Sequence, residues 1–149
     1  MTVSIKKVSL QEDIQKCLDV RLEVFVVGQK ISLSEELDGK DWGCEHYLLS
    51  VNDAPVGVAR VRFIADYAKI ERVGILDAYQ GKGLGRRMMN VILSNLEQDA
   101  RVSTAKLSSQ THAISFYEHL GFIVCSEEYK DAGILHRDMK LDLSQHKKL

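Results

Sequence analysis

The stretch AYQGKGLGRRM, residues 78–88, combines backbone freedom with concentrated positive charge. Three glycines at alternate positions and three cations lie within it: Gly81, Gly83, Gly85, Lys82, Arg86 and Arg87. A glycine turn that leads into a helix exposes backbone N–H groups without intrahelical partners, and the helix dipole adds partial positive charge there. Cations in a first helical turn oppose that dipole, and a bound polyanion removes the conflict. A flexible turn with surface cations is the simpler alternative, but the combination favours a phosphate site.

Two well-known phosphate motifs do not fit this stretch. A P-loop requires G-x-x-x-x-G-K-[ST], and neither Gly-Lys-Ser nor Gly-Lys-Thr occurs in the chain. The dinucleotide fingerprint requires G-x-G-x-x-G, but Met88 stands where the third glycine belongs after Gly83 and Gly85. No acidic residue follows at the required distance after a further strand.

The composition fits one globular domain with a local anion site. With 149 residues, of which 45% are hydrophobic, the chain is long enough to bury a sizeable core. We predict a single domain over residues 1–149, with a flexible tail from about residue 144. The formal net charge is only -1, which argues against nucleic acid as a partner.

The three cysteines, Cys17, Cys44 and Cys125, are far apart and odd in number. Neither a disulfide framework nor a zinc site is therefore predicted. The N-terminus lacks the apolar run of a signal peptide, and no segment approaches the roughly 18 apolar residues of a membrane span. We expect a cytoplasmic protein without a metal or a membrane partner.

Hydrophobic periodicity predicts the elements that position the glycine stretch. After a short strand at residues 3–5, a capping box at Ser9 and Glu12 predicts a helix that ends near Gly28. Four residues mark its expected buried face: Ile14, Leu18, Leu22 and Phe25. A helical turn is predicted to start at Ser32.

Further along the chain, Asn52 and Asp53 begin a turn-forming cluster that predicts a hairpin between strands at 46–51 and 56–65. The remaining predicted elements are a strand at 68–75, a helix at 84–97, a strand at 102–108, a helix at 112–120 ended by Gly121, and strands at 122–129 and 134–141. Three hairpin-linked strands followed by βαβ crossovers imply a mixed sheet with helices on both faces.

Residues in and around the glycine stretch resemble the signature of the GNAT N-acetyltransferase superfamily. Gln80, Gly83 and Gly85 spell Q-x-x-G-x-G, with IERVGI before it and HAISFYEHLGF after it. The similarity spans residues 68–123, and the order of elements extends it over nearly the whole chain. Two further segments, RLEVFVVGQ and DAGILHRDM, resemble the ElaA-like branch.

The resemblance implies a GNAT-like α/β (α+β) fold, with a mixed, mostly antiparallel central sheet of six to seven strands and helices on both faces. Three positions depart from the pattern. Gly28 stands where an acidic residue is common, and Leu135 where proline is common, which affects the expected acceptor pocket. Gln110 occupies the place where many relatives have an asparagine beside the cofactor.

The resemblance also implies a ligand, acetyl-coenzyme A (acetyl-CoA). Its pyrophosphate would lie on the backbone N–H groups from Lys82 to Arg86, its pantetheine arm along residues 73–76, and its thioester between that strand and the one near Lys106. The implied cofactor-binding residues are Val73, Gly74, Ile75, Gln80, Gly81, Lys82, Gly83, Leu84, Gly85, Arg86, Gln110 and Tyr117. Gly74 in mid-strand fits a close approach, although a harmless irregularity of the sheet explains it equally.

Acetyl transfer to an amine requires loss of an ammonium proton, stabilisation of an oxyanion and protonation of a thiolate. Tyr117 matches the tyrosine that serves as general acid in many family members. The alternative interpretation is that Tyr117 is a tyrosine of the hydrophobic core. Glu71 resembles an acidic residue that contacts or deprotonates the amine in several relatives, and a salt-bridged strand residue is equally compatible. Strict alternation turns Arg72 to the opposite face. By the same analogy, an N–H near Val73 or Gly74 would hold the oxyanion.

Other groups are also candidates for the base or the acceptor pocket. Three histidines, His46, His112 and His136, belong to the type that titrates near neutral pH, and a positioned water would leave no single essential base. The acidic loop, residues 29–45, has the negative charge needed to attract a cationic amine. The simpler interpretation is that its carboxylates are solvated. Its carboxylates are Glu35, Glu36, Asp38 and Asp41. Trp42 and Tyr67 either line the acceptor pocket or pack elsewhere.

The resemblance predicts an N-acetyltransferase that moves an acetyl group from acetyl-CoA directly to a primary amine, without a covalent acetyl-enzyme and without a metal. The acceptor would be a small molecule or a peptide, and a homodimer is compatible with the resemblance. One rival is a noncatalytic acyl-CoA sensor or interaction module on the same fold. Another is an enzyme that uses this corner for ATP or a dinucleotide.

Overall fold

One mixed sheet forms the centre of the protein in the computed structural model, which describes residues 1–144. The strands are β1 Val3–Val8, β2 Cys44–Val51, β3 Ala54–Ile64, β4 Tyr67–Ile75, β5 Thr104–Gln110, β6 Ile123–Val124, β7 Tyr129–Asp131 and β8 Ile134–Asp142. They pair in the order β1-β2-β3-β4-β5-β8-β6, and β7 also pairs with β8. β4 and β5 are parallel, and the other pairs in this part of the chain are antiparallel. The predicted mixed, mostly antiparallel fold is confirmed; the predicted tail lies outside the described residues, apart from its first position.

The sheet has eight strands, one more than the upper end of the predicted range of six to seven. The segment predicted as one strand at 122–129 contains β6, and the additional strand β7 begins at its last residue, Tyr129. Both pair with β8. Between them, the Cys125 N–H donates to the Asp138 carbonyl at 2.8 Å, and Ser126 Oγ accepts from the Asp138 N–H at 2.8 Å. The two strands therefore form one interrupted edge.

The α-helices within residues 1–144 are α1 Gln11–Arg21, α2 Leu33–Glu36, α3 Leu84–Glu97 and α4 Ile114–Glu118. A π-helical segment, Leu22–Gly28, extends α1, so the predicted end near Gly28 is confirmed. The predicted capping box at Ser9 is wrong, because Leu10 is the N-cap and no side chain caps the helix. α2 starts as predicted, with Ser32 Oγ accepting the Glu35 N–H at 3.2 Å.

Helices cover both faces of the sheet. α3 covers one face with four buried residues at fourfold spacing: Leu84, Met88, Ile92 and Leu96. These pack in one cluster with Tyr47 and Leu49 of β2. Leu48 faces the other way and packs with Cys17 and Val20 of α1. Each fully buried side chain of this size contributes about 1.5–3 kcal/mol of hydrophobic stabilisation.

The predicted buried face of the first helix is confirmed at Phe25, which is buried in the π-helical segment, and is wrong at Leu22. Leu18 and Leu22 line a shallow groove of about 180 Å³ against α2, and Leu22 is 44% exposed. The buried positions of α1 are Cys17, Val20 and Arg21. The prediction counted only apolar residues, whereas ion pairing allows Arg21 to occupy the buried face.

The predicted hairpin between β2 and β3 is confirmed. Asn52 and Asp53 form its two-residue loop, with φ of 50° and 67°. Asparagine and aspartate enter this left-handed region more readily than other residues with side chains, which is why they suit such loops.

β4 and β5 pair only between Tyr67–Ile70 and Thr104–Leu107. Beyond these ranges, β4 continues with β3 as its only strand partner in the described chain. The β3–β4 register shifts between Val58 and Arg60, where β4 carries an extra residue and Arg72 has φ of 56°. The parting of two parallel strands opens the sheet at their C-terminal ends.

Residues 1–144 contain no helix that is long and apolar enough to span a membrane. In the same range, no group of three or more His, Cys, Asp or Glu side chains is arranged to hold a metal ion. The three cysteines are free thiols.

Candidate active site

A cleft of about 1020 Å³ opens where β4 and β5 part. We call one side the glycine wall: residues 80–86 together with α4. The other side, the acidic wall, consists of the acidic loop (residues 29–45), the side chains of α1, β3 and β4 that form ion pairs with one another or with this loop, and the β7–β8 hairpin with His136. Tyr117, Glu71 and all predicted cofactor-binding residues except Lys82 line this cleft.

The glycine wall has the backbone conformation that the sequence suggested. Gly81 and Gly83 have φ of 75° and 76°, where a side chain is strained. A Cβ atom on either glycine would meet no atom within 4 Å, so the space beside both is open. Gly83 is the N-cap of α3, whose first turn has neither an acidic residue nor a side-chain cap. Since the first intrahelical bond runs from Arg87 N–H to Gly83 O, the preceding N–H groups have no intrahelical acceptor.

Three cations of this region form no ion pair with any described residue: Lys82, Arg86 and Arg87. Lys82 Nζ lies 5.6 Å from the centroid of the Tyr79 ring, outside the lining of the cleft. Gln80 Nε2 donates to the Ile75 carbonyl at 2.9 Å and to Asp77 Oδ1 at 3.2 Å, which ties the loop to the end of β4. Gln80 thus positions the loop, and the cations are not neutralised by protein.

The end of β4, Val73–Ile75, borders the cleft with an edge that no described strand covers. Gly74 is closely approached by the π-helical segment, and the approach of the cofactor to Gly74 stays a prediction. A Cβ atom there would lie 2.9 Å from Val24 Cγ1 and 3.1 Å from Phe25 Cζ. Glycine at this position therefore lets the helix pack against the strand that borders the cleft.

Tyr117 reaches the cleft from α4 and is only 9% exposed. Its ring packs edge-on against Phe116 and Phe122, with centroids 5.0 Å and 6.0 Å away. No described residue hydrogen-bonds its hydroxyl. Burial raises the pKa of Tyr117 to about 12, so the phenol is protonated at neutral pH and is a weaker acid than free tyrosine.

Gln110 spans the cleft at the end of β5. Its Nε2 donates to Gln29 Oε1 at 2.8 Å, and its Oε1 accepts from His112 Nε2 at 2.7 Å. The Gln110 amide therefore links the acidic loop to the turn before α4. The sequence indicated Gln110 but gave no sign of its partner Gln29.

Glu71 lies on the cleft with both carboxylate oxygens engaged. Arg60 Nη2 and Arg62 Nε lie 3.0 Å and 3.1 Å from Oε1, and Lys69 Nζ lies 3.8 Å from Oε2. Of the two interpretations left open by the sequence, the contacts favour the salt-bridged one, and a role as base stays a prediction. The prediction that Arg72 faces away is wrong, because the bulge brings it to the acidic loop and to the cleft.

The acidic loop is not a solvated loop, because three arginines hold it. Glu36 is 3% exposed and lies 2.6 Å from Arg21 Nε. Arg60 is fully buried, with Asp38 at 2.8 Å and Asp41 at 3.0 Å. Further contacts join Arg21 to Asp41 at 2.6 Å, and Arg72 to Glu36 at 2.8 Å and Asp38 at 3.5 Å. Of the four predicted amine-attracting carboxylates, only Glu35 lacks an arginine partner among the described residues and is exposed.

This network shifts the ionisation of its own members. Hydrogen bonds from Arg60 hold the pKa of Asp38 well below its usual range. Burial opposes ionisation of Asp41, but hydrogen bonds from Arg21 and Arg60 outweigh it and lower the pKa of Asp41. The carboxylates are therefore stable anions that fix the loop. An arginine in the apolar run VGVARVRF was the one sequence signal for Arg60.

The two aromatic residues proposed for the acceptor pocket lie elsewhere. Trp42 is 100% exposed, and neither it nor Tyr67 lines the cleft. Lys106 Nζ lies 4.1 Å from the centroid of the Tyr67 ring. Lys106 pairs with Lys69 in the closed part of the sheet, so the strands open beyond Leu107 rather than near Lys106.

The three candidate histidines differ in position. His46 is buried with Nε2 donating to the Asp41 carbonyl at 3.1 Å, and it does not line the cleft. His112 and His136 line the cleft. The sequence missed a polar group next to His136, in which Ser108 Oγ donates to Asp138 Oδ1 at 2.8 Å and the Tyr129 hydroxyl donates to the same oxygen.

Known proteins are similar to this chain in sequence, and solved structures are similar to it in fold. The chain is 35% identical over 133 residues to the uncharacterised N-acetyltransferase YjcF of Bacillus subtilis, covering 89% of this chain and 94% of YjcF. It is 31% identical over 133 residues to ElaA of Escherichia coli, covering 86% of each. The crystal structure of Escherichia coli ElaA superposes with a TM-score of 0.85 at 25% identity, covering 95% of this chain and 100% of that one. The crystal structure of an acyl-CoA N-acyltransferase from Pseudomonas aeruginosa superposes with a TM-score of 0.83 at 26% identity, covering 94% of this chain and 98% of that one.

The family model for the acetyltransferase (GNAT) domain matches residues 13–143, which include both walls of the cleft. Its match and the relatives agree with the resemblance that Gln80, Gly83 and Gly85 carried. The chain belongs to the GNAT acetyltransferase family and is an acyltransferase.

Proposed function

We propose that the protein transfers an acetyl group from acetyl-CoA directly to a primary amine. The observation that carries the proposal is the continuity of the cleft, which joins the unneutralised glycine wall to the Tyr117 hydroxyl and to the opening between β4 and β5. This continuity supports an anion site and a proton donor along one path. Acetyl transfer as such agrees with the family, and the amine acceptor is the part that we propose.

The residues present fit acetyl-CoA. The pyrophosphate is a polyanion, and the glycine wall offers free N–H groups at a helix N-terminus together with Arg86, which lines the cleft. Lys82 and Arg87 are next to this lining in the sequence and add positive charge. The uncovered edge of Val73–Ile75 offers backbone groups to an extended amide-containing chain. When bound, acetyl-CoA supplies the activated thioester.

The residues of this chain would supply the proton and charge chemistry. The N–H groups of Val73 and Gly74, beside the bulge, are the proposed donors to the carbonyl oxygen of the thioester as it gains negative charge. Tyr117 is the proposed acid for the departing thiolate. Its raised pKa keeps the proton on the phenol until a strong base forms beside it, and a thiolate in an apolar site is such a base.

The arginine–carboxylate network supports a defined role for the acidic wall. The network contains four arginines and four carboxylates: Arg21, Arg60, Arg62, Arg72, Glu36, Asp38, Asp41 and Glu71. Because these charges balance, the wall is a rigid boundary of the acceptor site with little net field. We infer that the acceptor is a small molecule or a peptide end that enters from this wall, opposite the cofactor side.

The test is a pair of measurements on the full chain. A thermal-shift comparison of acetyl-CoA with ATP and NAD is expected to raise Tm with acetyl-CoA only. Release of free thiol, followed with a panel of small amines and peptides, is then expected for at least one amine. Stabilisation by ATP or NAD but not by acetyl-CoA would overturn the proposal.

The noncatalytic sensor is separated by the same assay. A sensor binds acetyl-CoA with no amine-dependent thiol release, and Tyr117→Phe leaves its properties unchanged. A catalyst shows thiol release that depends on the amine and falls in Tyr117→Phe. Each outcome therefore supports one of the two functions and contradicts the other.

A further inference from the structure

The acidic wall contains a histidine whose tautomer is fixed by the protein. His136, on β8, is 9% exposed and lines the cleft. Its Nδ1 lies 2.7 Å from the Ile134 carbonyl. Because a carbonyl can only accept, Nδ1 must carry a proton, and in the neutral ring the lone pair is then on Nε2.

Neighbouring side chains hold the His136 ring in place. The ring stacks on Tyr129 with a centroid separation of 6.1 Å and an angle of 21°. Tyr129 is itself anchored, because its hydroxyl donates to Asp138, which also accepts from Ser108. No described residue hydrogen-bonds His136 Nε2. The ring is buried, its Nδ1 donates a hydrogen bond to the protein, and its Nε2 has no hydrogen-bond partner among the described residues. This arrangement allows Nε2 to accept a proton from a substrate in the cleft.

The register of the sheet places His136 on the side from which the acceptor would enter. His136 pairs with Gln110, and Asp138 pairs with Ser108, across β5 and β8. Directly paired residues project from the same face, and the side chain of Gln110 reaches Gln29 in the acidic loop. Tyr117 belongs to the core on the α3 face. Acid and histidine therefore lie on opposite sides of the strand opening.

The other candidate bases that line the cleft are either paired with cations or exposed. Glu71 is held by Arg60, Arg62 and Lys69. Asp38 is held by Arg60. His112 donates from Nε2 to Gln110, so the lone pair of its neutral ring is on Nδ1, which no described residue hydrogen-bonds. The His112 ring is exposed on a turn, whereas the His136 ring is buried. His136 combines burial, a fixed tautomer and a free lone pair.

We propose that His136 is the general base of the acetyl transfer. This proposal rests on the function proposed above. Nε2 takes one proton from the acceptor ammonium, and the neutral amine then forms the C–N bond with the thioester carbonyl carbon as the carbonyl π electrons move to oxygen. When those electrons return, the C–S bond breaks and the thiolate leaves with its electron pair. Tyr117 gives the thiolate a proton and regains one from the amide nitrogen, so that the net proton released is the one on His136.

The decisive variant is His136→Asn, because the asparagine amide can still donate to the Ile134 carbonyl while providing no base. We expect its kcat/KM at neutral pH to fall about 100-fold, the usual contribution of a general base, with the thermal shift by acetyl-CoA retained. The matched control is His119→Gln. His119 also donates from Nδ1 to a backbone carbonyl, that of Ser115 at 2.6 Å, but lies outside the cleft, and its variant should keep full activity.

A pH series and a second amine separate a base from a merely structural histidine. The loss in His136→Asn should shrink as pH rises, and should shrink for an analogue of the active amine with an electron-withdrawing substituent, because less of that amine needs deprotonation. Tyr129 stacks on His136, and Asp138 accepts from the Tyr129 hydroxyl. The other titratable groups that line the same cleft are Asp131, His112, Glu35, Glu36, Asp38, Lys40, Arg62, Lys69, Glu71, Arg72, Arg86 and Tyr117. His136→Gln, which keeps the size of the side chain without the base, should behave in the same way.

Several outcomes are distinguishable. Amine-dependent activity in His136→Asn near the wild-type level, or an equal loss at every pH and for both amines, would overturn the proposal for His136 while leaving the proposed function intact. Absence of amine-dependent thiol release in the wild type would overturn the proposed function itself.

Discussion

The two walls of the cleft use positive charge in opposite ways. On the acidic wall, Arg21, Arg60 and Arg72 are matched by carboxylates at 2.6–3.0 Å. On the glycine wall, no described carboxylate pairs with Lys82 or Arg86. One wall is electrostatically complete without a ligand, and the other is not.

This difference distinguishes charged residues that stabilise the fold from charged residues that are available to bind a ligand. Charge that is paired and buried fixes a loop, and removing one partner exposes the full desolvation cost of the other. Charge that is unpaired beside free N–H groups at a helix N-terminus contributes to the affinity for an anion. Variants on the acidic wall should therefore change stability first, and variants on the glycine wall should change binding first.

The largest expected effect is on the acidic wall. Arg60→Met leaves Asp38, Asp41 and Glu71 without their shared cation, and we expect a loss of about 3–5 kcal/mol in the free energy of unfolding. Urea denaturation measures it. Lys7→Met is the control, because Lys7 forms a half-exposed pair with Glu45 at 3.4 Å, worth less than about 1 kcal/mol. Equal losses in the two variants would contradict the role given to the network.

The next effect is catalytic and belongs to the glycine wall. Tyr117→Phe keeps the packing against Phe116 and Phe122, because the hydroxyl has no hydrogen-bond partner among the described residues. We expect kcat to fall about 100-fold, with little change in KM for acetyl-CoA or in the urea midpoint. Steady-state thiol release measures it. An unchanged kcat would remove Tyr117 from the mechanism.

A smaller effect isolates the phosphate cradle. Gly83→Ala places a methyl group at the N-cap of α3, and we expect acetyl-CoA affinity to fall about tenfold, or about 1.4 kcal/mol, in a calorimetric titration. Gly133→Ala is the matched control, because Gly133 has the same φ of 76° and equally open surroundings. Both variants should lose about 1–2 kcal/mol of stability through backbone strain, and only Gly83→Ala should lose affinity. Valine is a poor choice at this position, because a β-branched residue adds strain.

Much of the fold and one wall of the site could be predicted from the sequence. Local signals in the sequence were sufficient to predict three features. The fourfold apolar spacing predicted α3, Asn52 and Asp53 predicted the hairpin loop, and the glycines before α3 predicted the turn that leads into it. These features are decided by neighbouring residues, by backbone sterics and by the period of a helix.

The acidic wall could not be predicted, because it depends on contacts between distant segments. Arg21, Arg60 and Arg72 meet acidic residues 11 to 36 positions away in the chain. A bulge at Arg72 broke the alternation that would have turned it away. A prediction from the hydrophobic pattern places an arginine at the surface, and only the folded structure shows that Arg60 is buried.

The smallest expected effect appears in acid. The folded-state pKa of Asp38 and of Asp41 lies below the unfolded value near 3.9, so their contribution to stability is fully present above about pH 4 and is lost as pH falls further. Asp38→Asn should make the free energy of unfolding less dependent on pH below about 4, while Asp13→Asn, on the half-exposed pair with Lys16, should change little. Urea titrations at several pH values measure both, and parallel slopes in the wild type and Asp38→Asn would contradict the assignment.

The most direct test of the account is a crystal structure of the protein with acetyl-CoA. We predict that the pyrophosphate lies within hydrogen-bond distance, about 2.7–3.2 Å, of backbone N–H groups between Lys82 and Arg86, with the thioester near Tyr117 between β4 and β5. A pyrophosphate bound to the arginines of the acidic wall, or outside the cleft, would contradict the central claim.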